Sequence, residues 1–333
     1  MISSDIIKQK ALEYGADLCG IGDVRLYEGS PPQRDPRFIQ PKAAAVIGVA
    51  LRVPRGIYRG ILEGTQHYTY TSLGVKALSE EVVGAFLLKM ARVIENEGYE
   101  ACIQRSAPGL RIKDDMDTNP EVTATRRLIH TEPVGPGKPA PEVILDETQS
   151  AVICGLGTPG YRGNVLTPEF GPFQRFAFIV TNAPLAPDPV ITESLCDQCG
   201  ACADACPGKA ICGSERTLVV GECAFPYGSW DTWQCSVYYR GAHRSNPFMP
   251  ADFLRDHPER EAILSGEKRF SREEALAIYD RLKFLPNTHY GYVPCLCGKA
   301  CDTACYAHLE RKGLIRKKFA MGFISEPATG GRP

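Results

Sequence analysis

The sequence predicts an α/β domain over residues 1–190 followed by a cysteine-rich domain over residues 191–333. Two observations carry that prediction. Through the first half, short apolar runs alternate with segments whose apolar residues recur at helical spacing, the pattern of a sheet layered against helices. Through the second half lie eleven of the fourteen cysteines, all between Cys196 and Cys305. The 333 residues, 44% hydrophobic and 23% charged, suffice for one large domain or two modest ones. With 38 basic against 39 acidic side chains, the net charge of −1 argues against a protein built to grip nucleic acid. No run of about eighteen apolar residues offers a membrane span. Met1–Lys10 carries neither an apolar signal core nor a twin-arginine pair, so a cytoplasmic location with reduced thiols is expected. Many cysteines in that setting point to metal.

The elements follow in order. A helix is predicted over Ser4–Tyr14, with Ile6, Ile7, Ala11 and Leu12 on one face and Gly15 as its stop. Cys19–Ile21 reads as a short strand. Ala43–Val53, an apolar run between Pro41 and Pro54, reads as a buried one. A long helix is predicted over Ser72–Glu97, its core face formed by Leu73, Leu78, Val82, Phe86, Met90 and Ile94, closing at Gly98. Tyr99–Gln104 reads as the next strand. From Ser106 to Gln149 the chain is rich in proline, glycine and charge, and its periodicity fades into a long loop. A glycine-rich stretch from Gly155 to Asn164 lacks the register of a dinucleotide site. Phe176–Thr181 is a strand leading into the cysteines.

Cys196-Asp-Gln-Cys199-Gly-Ala-Cys202-Ala-Asp-Ala-Cys206-Pro207 is C-x2-C-x2-C-x3-C-P, the spacing of a bacterial ferredoxin [4Fe–4S] site. Short gaps let one loop wrap three thiolates around a cubane, and small Gly200 and Ala201 let backbone N–H groups approach the sulfurs. The fourth cysteine conventionally serves a second cluster. Downstream, Cys301 and Cys305 keep the x3 gap, with Cys297 and Cys295 before them. Cys305 is expected to complete the first cluster with Cys196, Cys199 and Cys202. Cys206, Cys297, Cys301 and Cys223 are expected to bind the second, with Cys235 the rival of Cys223 and Cys295 the rival of Cys297. Cys19, Cys102 and Cys154 read as buried packing thiols.

These pieces resemble the epoxyqueuosine reductases and the catalytic cores of the reductive dehalogenases. Gly155-Leu-Gly157, Gly160, Arg162 and Asn164 are similar to that family's glycine-rich corrinoid loop, with two residues inserted. Thr167-Pro-Glu-Phe-Gly171-Pro172 follows it as in the family. Thr181–Asp188 resembles the connector into the first cysteine motif, and Ala43–Ala50 the early buried strand. Gln66-His-Tyr68-Thr-Tyr70 resembles a tyrosine-containing site segment. The resemblance spans about residues 5–310, and the cysteine motif is its most specific part. It implies a nitroreductase-like, corrinoid-binding α/β domain joined to a ferredoxin-like domain with two [4Fe–4S] clusters. Two features depart from the family. No aspartate aligns with its catalytic acid, for which Glu142 is the substitute, and Tyr306 replaces the proline after the second motif.

The activity so implied is that of a cobalamin-dependent iron–sulfur reductase acting on a small organic substrate. A low-potential donor such as ferredoxin or flavodoxin would supply electrons. An electron-transfer module without its own catalysis and a tRNA-base reductase are the alternatives. Gly155, Gly157, Gly160, Arg162 and Asn164 would hold the corrinoid; Tyr68, Tyr70 and Glu142 are the candidate proton donors. His67 is the histidine to test.

Overall fold

The computed structural model describes residues 2–104, 132–288 and 291–323. Helix α1 (Ser4–Glu13) starts where the Ser3 side chain accepts a hydrogen bond from the Ile6 N–H at 3.3 Å, and it stops at Gly15, whose φ of +105° suits glycine. Strand β1 (Leu18–Asp23), β2 (Ala45–Arg52), β3 (Ala101–Gln104) and β6 (Gln174–Thr181) form the central sheet in the order β1-β2-β6-β3, antiparallel throughout. Two-residue strands β4 (Thr158–Pro159) and β5 (Val165–Leu166) pair beside it.

The parity of β2 explains its unbroken apolar run. Ile47 and Val49 face a core with Ile7 and Ala11 of α1 and with Phe86, Met90 and Ile94 of α3 (Val83–Glu95). Val46 and Ala50 face the opposite core, with Val152 and Ile153 of α4 (Glu147–Ile153) and with Val220 and Phe225 of a hairpin. That hairpin is β7 (Ile211–Val220) and β8 (Cys223–Trp230). Burying each large apolar side chain contributes about 1.5–3 kcal/mol, so a sheet covered on both faces needs apolar residues at every position. Cys154 packs at the crossing of α4 and the sheet. A Cβ on Gly48 would stand 2.8 Å from its Sγ, and one on Gly20 would overlap its carbonyl. Cys19 and Cys102 are partly buried and pack against the two cores on either side of the sheet.

The long helix departs from its predicted face. After α2 (Gly56–Leu62), residues Tyr70–Val82 wind as a π-helix, and the Val83 N–H reaches back five residues to the Leu78 carbonyl. The wider turn rotates the face. Leu73 (56% exposed) and Val82 (49%) point outward, while Tyr70, Thr71 and Gly74 point inward. Phe86, Met90 and Ile94 keep the expected burial because the chain there has returned to α-helical period. Helix α4 occupies the end of the segment expected to be all loop; the Asp146 carboxylate caps it by accepting from the Gln149 N–H at 2.9 Å.

The second half docks onto this frame. Helix α5 (Ala201–Asp204) packs against α9 (Ala300–Arg311). Between β8 and α9, helices α6 (Thr232–Tyr239), α7 (Arg260–Leu264) and α8 (Arg272–Ile278) surround a core of their own, including Val237, Phe253, Ile263 and Phe270. A further core joins Tyr58, Tyr70 and Phe173 to Tyr306, Leu309 and Phe323, so residues on both sides of position 190 share one interior.

Candidate metal centre

Cys196, Cys199, Cys202 and Cys305 line one pocket, the first three from the tight loop and the last from α9. Gly200, at φ +77°, turns the loop into α5. The Tyr161 N–H donates to the Cys196 sulfur at 3.2 Å, and the Ala201 N–H to that of Cys199. Burial pushes the Cys202 thiol up to about 11, with Arg162 opposing it. Four converging soft sulfurs with backbone N–H groups aimed at them are the donor set of an iron–sulfur site. The pocket therefore fits the group the spacing implies.

A second group of thiols lies behind it. Cys297, Cys301 and Cys206 all act electrostatically on Cys235, whose thiol burial pushes up to about 12. The Ala210 N–H donates to the Cys206 sulfur at 3.4 Å. Helix α6 brings Cys235 there. The Gln234 side chain donates to the Gly208 carbonyl at 2.7 Å, and the Tyr238 ring fills the space where a Cβ of residue 208 would stand. Cys223 is elsewhere: it opens β8 opposite Val220 and packs against the apolar core over the sheet. Of the two rivals for the fourth position, Cys235 is the one that lies among Cys206, Cys297 and Cys301. The signal was the period of two in a strand, which puts Cys223 on the face of buried Phe225. Cys295 is fully buried behind Cys297, with their sulfurs 3.7 Å apart and its N–H bonded to the Thr71 hydroxyl.

A charge cluster sits among these thiols. Asp302 forms ion pairs with Arg162 and with Lys299, the latter at 2.9 Å; their side chains are only 6%, 17% and 18% exposed. Burial pushes the Asp302 carboxyl up, but the two cations outweigh it and hold the carboxyl below its usual value. Lys299 also lies 5.8 Å from the Tyr70 ring centroid. Tyr70 is buried, and its hydroxyl accepts from Arg175 at 2.8 Å. Sequence reasoning missed Lys299, Asp302 and Arg175, which have no motif and meet only in three dimensions.

The residues expected to hold a corrinoid pack against the chain itself. A Cβ on Gly155 would meet the Pro189 carbonyl at 2.6 Å, and one on Gly157 would overlap the Leu166 carbonyl. A Cβ on Gly160 would press on the Asn164 side chain at 3.1 Å. Gly155 and Gly157 are required by close backbone approach, Gly160 packs against side chains, and the three form no open cradle. Arg162 is committed to Asp302, and Gly160, Arg162 and Asn164 line the first cysteine pocket. Three of the five thus line the metal centre and the other two pack against backbone carbonyls, an arrangement that leaves no cradle for a corrin.

Of the expected proton donors, Tyr70 lies beside the second thiol group. Tyr68 is 37% exposed and spends its hydroxyl proton on the Pro286 carbonyl at 2.8 Å. Glu142 is exposed on the segment before α4. His67 is buried edge-on against Phe248, and neither ring nitrogen has a hydrogen-bond partner. His308 lines the first pocket and meets Asp197 at 2.9 Å. His130 and His289 lie outside the described residues.

Comparison with known proteins agrees with the chemistry of the first motif. Residues 189–212 match the 4Fe-4S binding domain. The chain is 44% identical over 71 residues to the tetrachloroethene reductive dehalogenase of Sulfurospirillum multivorans, covering 20% of this chain and 14% of that protein. It is 44% identical over 58 residues to the epoxyqueuosine reductase of Synechococcus sp. (strain CC9605), covering 17% of this chain and 18% of that protein. The chain therefore matches less than a fifth of either relative's length. A solved reductive dehalogenase structure, titled for B12-dependent dehalogenation, covers 83% of this chain and 36% of its own at 18% identity and a TM-score of 0.46. Both families that the sequence resembles are thus found among its relatives, and the relatives so named are reductases. Among the described residues no helix is long and apolar enough to cross a membrane.

Proposed function

We propose that this chain is an iron–sulfur reductase that draws single electrons from a low-potential protein donor and delivers them to a small organic substrate. In this reading Cys196, Cys199, Cys202 and Cys305 hold one [4Fe–4S] cluster, and Cys206, Cys235, Cys297 and Cys301 hold a second. The convergence of the first four thiols in one pocket, from segments about a hundred residues apart, carries the reading. When bound, such clusters accept and release electrons one at a time. The chain's own part is to hold the sulfurs, donate N–H groups to them and exclude water. Tyr70 is the proton donor: Arg175 donates to its oxygen, which leaves the hydroxyl proton available to an acceptor. The basic residues Arg311, Lys312, Arg316, Lys317 and Lys318, at and beyond the end of α9, suit an acidic ferredoxin or flavodoxin.

The family resemblance adds cobalamin as the acceptor. Because Gly160, Arg162 and Asn164 line the cysteine pocket and Gly155 and Gly157 pack against backbone carbonyls, no electron step is routed through a corrinoid.

Anaerobic reconstitution with iron and sulfide, followed by metal analysis and a visible spectrum, tests the reading. About eight irons per chain are expected, and four or fewer overturn the two-cluster assignment. Cobalamin added at the same stage and then gel-filtered decides the corrinoid: retained cobalt restores it to the mechanism, and its loss removes it.

A further inference from the structure

The cations of the metal centre are unevenly shared. Lys299 occupies the loop between Cys297 and Cys301, and its charge acts on the Cys301, Cys297 and Cys235 thiols. Arg162 stands between the two groups: it acts on Cys301 as well as on Cys202 and Cys305. Asp302 pairs with both cations. Two cations and one anion leave a net positive charge, largely screened from water and weighted towards the second thiol group. A cluster held by four thiolates is anionic and gains a further negative charge on reduction, so nearby buried positive charge favours its reduced form. The solvent edge lies on the other side, since Cys199 is the exposed thiol among the eight.

We propose that Lys299, held in place by its ion pair with Asp302, raises the reduction potential of the second cluster above that of the first, so that electrons enter at the Cys199 edge and run downhill to the interior. The inference rests on the two-cluster reading above. In the step itself one electron leaves the reduced first cluster and reduces the second, with no bond made or broken.

The test is a redox titration of the iron-loaded chain with titanium(III) citrate, followed by electron paramagnetic resonance, with iron content measured on every sample. The variant Cys235→Ser identifies which signal belongs to the second cluster. Lys299→Gln should lower the midpoint of the second cluster, giving a roughly tenfold smaller reduced-to-oxidised ratio at a fixed potential, and leave the first where it was. Lys299→Arg should keep both midpoints, and Arg162→Gln should lower both. Unmoved midpoints in a fully iron-loaded Lys299→Gln chain, or equal shifts in both clusters, overturn the inference. An unsubstituted chain that binds about four irons or fewer overturns the two-cluster reading, and the inference falls with it.

Discussion

Arg175 donates a hydrogen bond of 2.8 Å to the hydroxyl of Tyr70 and a second, of 3.1 Å, to the Gly74 carbonyl, tying sheet strand β6 to the π-helical segment. Tyr70→Phe removes the first bond and leaves the second. A hydrogen bond from a charged donor is worth about 1.5–3 kcal/mol, so urea unfolding should show a loss of that order with iron content intact. As the proposed proton donor, Tyr70 should account for about 10²-fold or more in turnover. Unchanged turnover in a folded, iron-loaded Tyr70→Phe chain rules out that role.

The ligand choice between two cysteines can be read directly. Cys235→Ser should bring iron down by about half, since one cluster loses a thiolate. Cys223→Ser should leave iron unchanged, because that thiol packs against the apolar core over the sheet. Equal losses in the two variants would refute the assignment.

Packing around Cys154 sets a third expectation. A methyl on Gly48 would stand 2.8 Å from both Cβ and Sγ of Cys154. Gly48→Ala should therefore destabilise the chain by about 1–3 kcal/mol, as overpacking does. Adding Cys154→Ala removes the sulfur, so the double variant should unfold later than the sum of the single effects predicts. Strict additivity in denaturant unfolding would contradict this contact.

His243 is buried, with ring nitrogens on the Ser245 hydroxyl at 2.9 Å and the Leu296 carbonyl at 3.1 Å. Burial lowers its pKa below 6.5, against the opposing pull of the Leu296 carbonyl. The unfolded chain therefore binds the proton first as pH falls. Stability from the neutral ring is complete above about pH 6.5 and drains away as pH falls through the lowered native value. His243→Gln should flatten the decline in unfolding midpoint between about pH 7 and pH 5. A parent and a variant with the same slope would show that the ring does not titrate on unfolding.

The strands and the first metal site were legible because each is written locally. Ala45–Arg52 is apolar at every buried position, and Cys196 to Cys206 fit the turns of one loop. Cys305 was also legible, since the cross-ligation rule names its distant partner. The face of the long helix was not. Its residues 70–82 abandon the period of 3.6 on which the reading of Leu73 and Val82 depended. The glycine-rich loop was read as a corrinoid loop, but the partner that Gly155 and Gly157 approach is the chain's own backbone at Pro189 and Leu166.

Spacing along the chain encodes periodicity and short-loop geometry, and from it a helix-covered sheet, a ferredoxin-type cysteine loop and a resemblance to two reductase families could be read. It took the folded chain to show that Cys235, and not Cys223, lies among Cys206, Cys297 and Cys301, and that Asp302 lies between Arg162 and Lys299. Those choices join residues up to 140 positions apart. They are fixed by which helix packs on which turn, through contacts such as Tyr238 against Gly208, and packing of that kind leaves no periodic trace in a single sequence.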